Sequence, residues 1–380
     1  MDVGIVSYGH TKYGVLKEDT PELIQTGVDQ CIANVDKGID RKDIGLVIAS
    51  CVDNQFSNQH QTGTLAWRYL KNPNAEGFRV EAGCASGSVA VYQALKMIRA
   101  GYVKNALVVG FEKMSRLSTE AATAALCRGG APEEIKLGIP QPACYALMAQ
   151  LYMRKSGATD EDFALVSVKN HENAMRNPWA HLHKKITVQD VVNSRMIASP
   201  IRLFHCCPIS DGAASLLLSA EPKKYTDTPV YLHMGWDHDA MGVFEREDPT
   251  FIMASKKAAD KVYKETNIGP KQIQIAEVHD AFTPVEIMCY EALGFAKKYE
   301  GPKLIRDGTV MRDGKLPVNV SGGLKAKGHP VGATGVGTIV ETFLQLRGQA
   351  GEKQIPGVET GLVEQHGGTG SISVVSVLTR

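Results

Sequence analysis

Val318-Asn319-Val320-Ser321-Gly322-Gly323-Leu324-Lys325-Ala326-Lys327-Gly328-His329-Pro330-Val331-Gly332-Ala333-Thr334-Gly335 runs from a short apolar strand through a glycine-rich turn into a helix expected over 335–345. Gly328 and Pro330 hold His329 in a rigid turn, as a positioned base would be, and the surrounding glycines let backbone approach a ligand closely. The run lacks GxxxxGK[ST], which argues against a phosphate-binding P-loop. Outward from it, strand-like and helix-like stretches alternate: strands over 3–6, 44–50, 106–110, 213–218, 275–279 and 371–378, a helix start at Thr20-Pro21 and a helix over 250–265. This is an α/β pattern, and its continuous apolar runs suit strands covered on both faces.

The order of parts repeats: buried strand, small-residue turn, polar residue, long helix. Two similar halves, 1–114 and 199–380, are therefore expected. Between them, 115–198 is rich in glycine, proline, methionine and polar stretches, with helical islands at 143–154 and 160–175. It reads as a loop domain inserted over the active site.

In the first half, Glu81-Ala82-Gly83-Cys84-Ala85-Ser86-Gly87-Ser88 precedes the helical stretch 89–98. A cysteine at a helix N-terminus feels unpaired N–H groups and the positive end of the dipole, which favour the nucleophilic thiolate. Histidine is the usual base for a thiol, which couples Cys84 to His329. Two more polar clusters, His279-Asp280-Ala281-Phe282 and the run 361–370, also follow or end strands, where function concentrates in α/β sheets.

Bulk properties narrow the classes. A net charge of +1 over 380 residues argues against a general nucleic-acid binder. No apolar run approaches a membrane span, and no signal or transit pattern precedes the first strand, so a cytoplasmic location is expected. The eight cysteines form no CxxC, a spacing that suggests neither a zinc site nor a disulfide framework.

The run ending in Gly335 resembles the GHPxGATG signature of the thiolase superfamily, and 81–88 resembles its nucleophilic cysteine motif. His279-Asp280-Ala281-Phe282 is similar to the histidine-bearing motif of the archaeal and lipid-transfer-protein-like branch, as are 199–203 and 207–214. The resemblance implies a thiolase fold: two mixed five-stranded sheets in a five-layered αβαβα arrangement, usually dimeric. It implies that Cys84 carries the acyl group and that His329 activates it and binds the thioester oxygen. His279 would complete that oxyanion site with a water, and the backbone N–H groups of Cys84 and Gly368 would form a second one. Coenzyme A is the implied co-substrate and a 3-oxoacyl-CoA the substrate, either acetoacetyl-CoA or a bulkier acyl or aryl compound such as benzoylsuccinyl-CoA. A small zinc-ribbon/OB-fold (DUF35) subunit is an implied partner.

One departure stands out. Typical thiolases carry a second cysteine just before the last glycine run; here that place holds Glu364. His366 should share its face of an extended segment and is the favoured acid/base, with Glu364 the alternative. Arg176, Lys184, Lys185 and Arg195 are candidate contacts for coenzyme A. Asp237, His238 and Asp239 look metal-like but read as a turn. Cys206-Cys207 reads as structural, and His171, His181 and His183 as solvated. Competing readings are a retro-aldol lyase, disfavoured because Cys84 is retained, and a non-catalytic scaffold or lipid-binding subunit.

Overall fold

A computed structural model describes residues 2–380. Its strands are β1 (Gly4–His10), β2 (Leu46–Ser50), β3 (Glu76–Val80), β4 (Asn105–Lys113), β5 (Met196–Ala198), β6 (Ile201–Arg202), β7 (Asp211–Ser219), β8 (Val230–His238), β9 (Ile275–Glu277), β10 (Thr360–Gly367) and β11 (Ile372–Thr379). Apart from the β5–β6 hairpin they form one hydrogen-bonded ladder in the order β3-β2-β4-β7-β1-β8-β11-β10-β9. β1 and β8 pair through only two residues, Gly4 with Tyr231 and Ile5 with Val230, so the ladder divides there into two leaves.

The leaves repeat one plan. In the first, β3, β2 and β4 are parallel, and β7 and β1 follow antiparallel. In the second, Val318 bridges β9 in parallel, β9 and β10 are parallel, and β11 and β8 follow antiparallel. The expected pair of five-stranded sheets is thus five strands and four, with a single bridge at Val318 in the fifth place. Pro317 removes a donor beside that bridge, and Asn319 takes a left-handed φ of 56°, so the strand cannot extend.

Five layers follow from which faces are apolar. Val47, Ala49, Leu107 and Val109 pack outward against Leu23, Ile24 and Val28 of the Thr20–Ala33 helix. Their neighbours Leu46, Ile48, Ala106 and Val108 face inward, against the helices Ser86–Arg99 and Val331–Arg347. The second leaf covers those two helices from the other side with Leu232, Val363, Val374 and Leu378. Its outer face, through Leu362, Val375 and Val377, meets the helices Met253–Thr266 and Thr283–Ala292.

Several boundaries depart from the sequence reading. The helix expected over 335–345 begins at Val331, inside the glycine-rich run. A Cβ at Gly332 would sit 2.6 Å from the Cys51 Cα and the Ser50 carbonyl, and one at Gly335 would sit 2.4 Å from the Ser88 N. These glycines permit close backbone packing within a helix instead of shaping a turn. The 250–265 helix starts three residues later, at Met253, and the 275–279 strand stops at Glu277. Asp237 and His238 end strand β8 instead of forming a turn, and Asp237 pairs with Lys261 at 2.7 Å. Among the described residues no helix is long and apolar enough to cross a membrane.

Candidate active site

Four chain segments converge at the carboxyl ends of β3, β9 and β10. Cys84 follows β3 after a tight turn in which Gly83 takes a positive φ of 56°. Ser86 Oγ donates to the Gly83 carbonyl (2.6 Å) and accepts from the Ala82 N–H (2.8 Å), locking that turn. His279 lies just past β9, and His366 lies on β10. Before His329, Gly328 needs its φ of 110°; a Cβ there would also crowd Ser210 Oγ at 2.8 Å.

The Cys84 Sγ and one ring nitrogen each of His279 and His329 all lie within 4.8 Å of one another. The His279 ring stands perpendicular to His329 at 5.5 Å and lies 4.0 Å from His366. All three histidines are buried, whereas Cys84 keeps partial exposure.

The hydrogen bonds fix which nitrogen is free. Thr334 Oγ1 donates its one proton to the Pro330 carbonyl (2.9 Å), so it accepts from His329 Nδ1–H (2.7 Å). His279 Nδ1 likewise pairs with Gln365 Oε1 (3.0 Å), an acceptor, and carries the proton. The Nε2 atoms of both rings are left without a protein partner among the described residues. Burial, followed by the charge of His366, pulls His329 down to about 3, so it stands neutral with a free lone pair. Burial and the two neighbouring imidazoles hold His279 well below the usual histidine range.

Cys84 departs from the sequence expectation of a resting thiolate. Burial, then the charges of Glu81 and Glu112, push the thiol up to about 12. The N–H groups of Cys84 and Gly368 oppose this with smaller effect. The helix starts at Ser86, two residues past the sulfur, and its dipole does not outweigh desolvation. Ionisation therefore needs a base, and His329 Nε2 is within reach.

Glu364 and His366 form one unit. His366 Nδ1–H donates to Glu364 Oε1 at 2.9 Å, leaving its Nε2 without a protein partner among the described residues. Glu364 also accepts from Ser255 Oγ (2.7 Å), Ser373 Oγ (3.1 Å) and the His279 N–H (3.2 Å). Burial alone would raise its carboxyl, but His366, Ser255 and the His279 N–H hold it below its ordinary value. The two sequence candidates are thus an imidazole and the carboxylate that orients it.

The glycine run after β10 is clamped from outside: Tyr145 donates to the Gly368 carbonyl, and Arg246 Nη1 to the Thr369 carbonyl at 2.6 Å. Glu112 Oε2 accepts from Val52 N–H (2.9 Å) and Gly332 N–H (3.0 Å), tying β4 to the Val331–Arg347 helix. Sequence reasoning missed Gln365, Thr334, Tyr145 and Glu112. Thr334, inside the glycine-rich run, was the one with a local signal; the others act across 60 or more residues.

The remaining candidates lie elsewhere. Arg176 pairs with Glu172 (3.3 Å) and lines a separate cavity of about 1500 Å³ with Lys271, Arg312 and Lys315. Lys185 also pairs with Glu172, at 3.0 Å, Lys184 lies over Phe204, and exposed Arg195 binds nothing in the catalytic cluster. His171 is buried, not solvated, with Nδ1 on the Lys184 carbonyl at 2.7 Å and Nε2 facing Lys325 Nζ at 3.2 Å. His181 bonds Ser210 Oγ (2.9 Å), and His183 the Asn177 carbonyl (2.8 Å). Cys207 donates its N–H to the Ala281 carbonyl at 2.9 Å, and Cys206 bridges Phe282, so this pair braces the His279 segment.

Comparison with known proteins places the chain in a family. Residues 3–222 match the family model described as thiolase, N-terminal domain, and residues 235–380 the one described as thiolase C-terminal domain-like. An acetyl-CoA acetyltransferase of Methanothermobacter thermautotrophicus is 37% identical, covering 100% of both chains. Benzoylsuccinyl-CoA thiolase subunit BbsB of Thauera aromatica is 34% identical over 73% of this chain and 72% of its own. Sterol carrier protein 2 of Bos taurus is 30% identical over 98% of this chain and 70% of its own. Among solved structures, the Ltp2-ChsH2(DUF35) aldolase superposes with a TM-score of 0.84 at 25% identity, covering 100% of this chain and 97% of that one.

Proposed function

Because this chain belongs to the thiolase family, we propose that its buried cluster performs coenzyme A-dependent acyl transfer through an acyl-Cys84 intermediate. The observation that carries the reading is the approach, within 4.8 Å, of the Cys84 sulfur and the histidine nitrogens, with His329 neutral and tied at Nδ1.

His329 Nε2 takes the Cys84 proton, and the sulfur attacks the 3-keto carbon of a 3-oxoacyl-CoA. Its oxyanion is met by the N–H groups of Cys84 and Gly368, the two backbone donors already aimed at the sulfur. The C2–C3 bond breaks, and its electrons move to the departing acyl-CoA as an enolate. His329, now carrying Nε2–H, donates to the enolate's thioester oxygen. A water held by the lone pair of His279 Nε2 donates to that same oxygen. His366, entering this step with a proton on each ring nitrogen, gives the Nε2 proton to C2 and regains one from an incoming coenzyme A thiol. The resulting thiolate takes the acyl group from Cys84, and His329 returns its Nε2 proton to the departing sulfur. Glu364 holds the His366 tautomer throughout, as a triad carboxylate does. Read backwards, the same steps give condensation.

The retained Cys84 separates this reading from a retro-aldol lyase, which forms no thioester on the protein. Acetoacetyl-CoA is the default substrate, and the Tyr145–Phe282 ring pair, 4.5 Å apart near the sulfur, would suit a bulkier acyl group. The exposed edge of β3 supports a homodimer. The likeness to a DUF35-containing assembly supports a small partner subunit, testable by copurification. The eight free thiols suit a cytoplasmic setting.

Mass spectrometry after mixing with acyl-CoA tests the chemistry. Wild-type protein should gain one acyl group on Cys84, and Cys84→Ala none. His366→Ala should still acylate, yet lose roughly 10²–10⁴-fold in α-proton exchange of acetyl-CoA, the usual contribution of an acid/base group. An unacylated wild-type protein, or unchanged turnover in Cys84→Ala, would sink the reading.

A further inference from the structure

The catalytic cluster also has the donor set of a three-ligand metal site. We propose that Cys84, His279 and His329 bind a thiophilic divalent cation, Zn²⁺ by preference, and that this binding blocks acyl transfer by engaging the nucleophile. The donors come from turns 195 and 50 residues apart, so no ligand spacing in the sequence betrays them.

Four observations carry the assignment. The three donor atoms already lie within 4.8 Å of one another. Tetrahedral zinc, with bonds of about 2.0–2.3 Å, needs donor separations of roughly 3.3–3.6 Å, so side-chain movements of about an ångström close the site. Both imidazoles are buried, and both Nε2 atoms lack a protein partner among the described residues. The Nδ1–H of each donates to an oxygen, Thr334 Oγ1 or Gln365 Oε1. That is the arrangement by which metal-bound histidines are oriented and held with the ligating lone pair free. Finally, Cys84 supplies a soft ligand that remains partly exposed, so an ion has a way in.

The exchange balances simply. The cation displaces the thiol proton to solvent and forms a metal–thiolate bond, with no oxidation. Three protein ligands leave a fourth position for water. His366 lies outside the triple but within 4.0 Å of the His279 ring, and Glu364 meets the His279 N–H at 3.2 Å. A carboxylate beside the second ligand favours a dication there.

The block of acyl transfer rests on the thiolase reading, whereas the metal binding does not and is tested apart from it. Metal-free protein is titrated with Co²⁺ under argon and read by absorption. One equivalent per chain should give a sulfur-to-cobalt charge-transfer band in the near ultraviolet and the visible bands of a four-coordinate ion. Cys84→Ser should remove the charge-transfer band, and His279→Ala should weaken binding at least tenfold. Cys127→Ser, which alters a thiol outside the cluster, should leave both signals unchanged. As a check that needs no variant, one equivalent of Zn²⁺ should protect Cys84 of the wild-type protein from iodoacetamide. Absence of the band at one equivalent, its persistence in Cys84→Ser, or undiminished alkylation under Zn²⁺ would each overturn the proposal. Acyl-Cys84 formation measured in chelator reports on the enzyme reading alone.

Discussion

At the scale of single residues, the site is built by burying groups that would rather be charged. His329 reaches about 3 in the folded protein, against an ordinary value near 6.5. The unfolded chain therefore binds a proton that the native state refuses, so this contribution to stability is complete above about pH 6.5 and is lost as pH falls toward 3. Buried His171 and His205, both near 4, act in the same direction. Glu112 has the opposite sign. Burial raises it to about 8, so the native state keeps a proton that the unfolded chain releases above about pH 4.5. Its contribution is present at low pH and declines as pH rises to 8. Stability should therefore peak between the two limbs, near pH 6. Glu112→Gln mimics the protonated acid and keeps one oxygen for the N–H groups of Val52 and Gly332. Between pH 5.5 and 8.5 the wild type should lose on the order of 2–5 kcal/mol more than this variant. Calorimetric melts across that range check it, and parallel curves would refute it.

At the scale of elements, the two central helices decide whether nucleophile and base meet. Ser86–Arg99 places Cys84 and Val331–Arg347 places His329, and the helices touch through backbone. A Cβ on Gly335 would lie 2.4 Å from Ser88 N and 2.6 Å from Ser88 Oγ. Gly335→Ala gains helix propensity, yet it must separate the helices, a cost of about 1–3 kcal/mol or more for an overfilled interface. The melting temperature should fall, and Cys84 acylation should slow more than a destabilised but undistorted fold explains. Gly348→Ala is the contrast: it lies at the helix C-cap with φ 69° and open space around its Cβ, so it should cost stability without touching acylation.

That packing also explains what the sequence could and could not disclose. Buried strands such as Leu107–Val109 were legible because apolar runs need cover on both faces. His329 and Cys84 were legible because each sits in an unusual local sequence. The helix start at Val331 was not, because glycine reads as a turn signal unless the opposing backbone is known. Gln365 and Glu112 were silent for a related reason. Their roles are set by partners 86 and 220 residues away, and nothing local distinguishes them from ordinary polar residues. The thiol state of Cys84 was misjudged because a helix dipole can be inferred from sequence, whereas desolvation cannot.

At the scale of the whole molecule, one buried carboxylate joins three distant regions. Glu341, on the Val331–Arg347 helix, meets Lys327 Nζ at 2.9 Å, Lys353 Nζ at 2.5 Å and Asn177 Nδ2 at 2.9 Å. Burial would raise its carboxyl, but the two lysines hold it far below the usual carboxylate range. Lys327 precedes His329, and its carbonyl accepts from the His181 N–H at 2.8 Å, while the Ala326 carbonyl accepts from Leu182 N–H at 3.0 Å. The segment 177–182, beyond the first half of the molecule, is thereby stitched to the loop that carries the base. Glu341→Gln would leave two buried ammonium groups without their anion, which costs about 3–5 kcal/mol where such networks are broken from one side. Hydrogen exchange should then accelerate at residues 177–182 and 323–329 together, and less at Ser86–Arg99, whose side chains form no ion pair or hydrogen bond with Glu341, Lys327 or Lys353. Acylation should slow because His329 is less firmly held, although Glu341 touches no reacting atom. Lys353→Met removes one ammonium instead and leaves the Glu341–Lys327 pair intact, so it should cost less than Glu341→Gln. Equal costs, or uniform acceleration across both central helices, would mean that Glu341 supports the core at large and does not couple the loop segment to the catalytic turn.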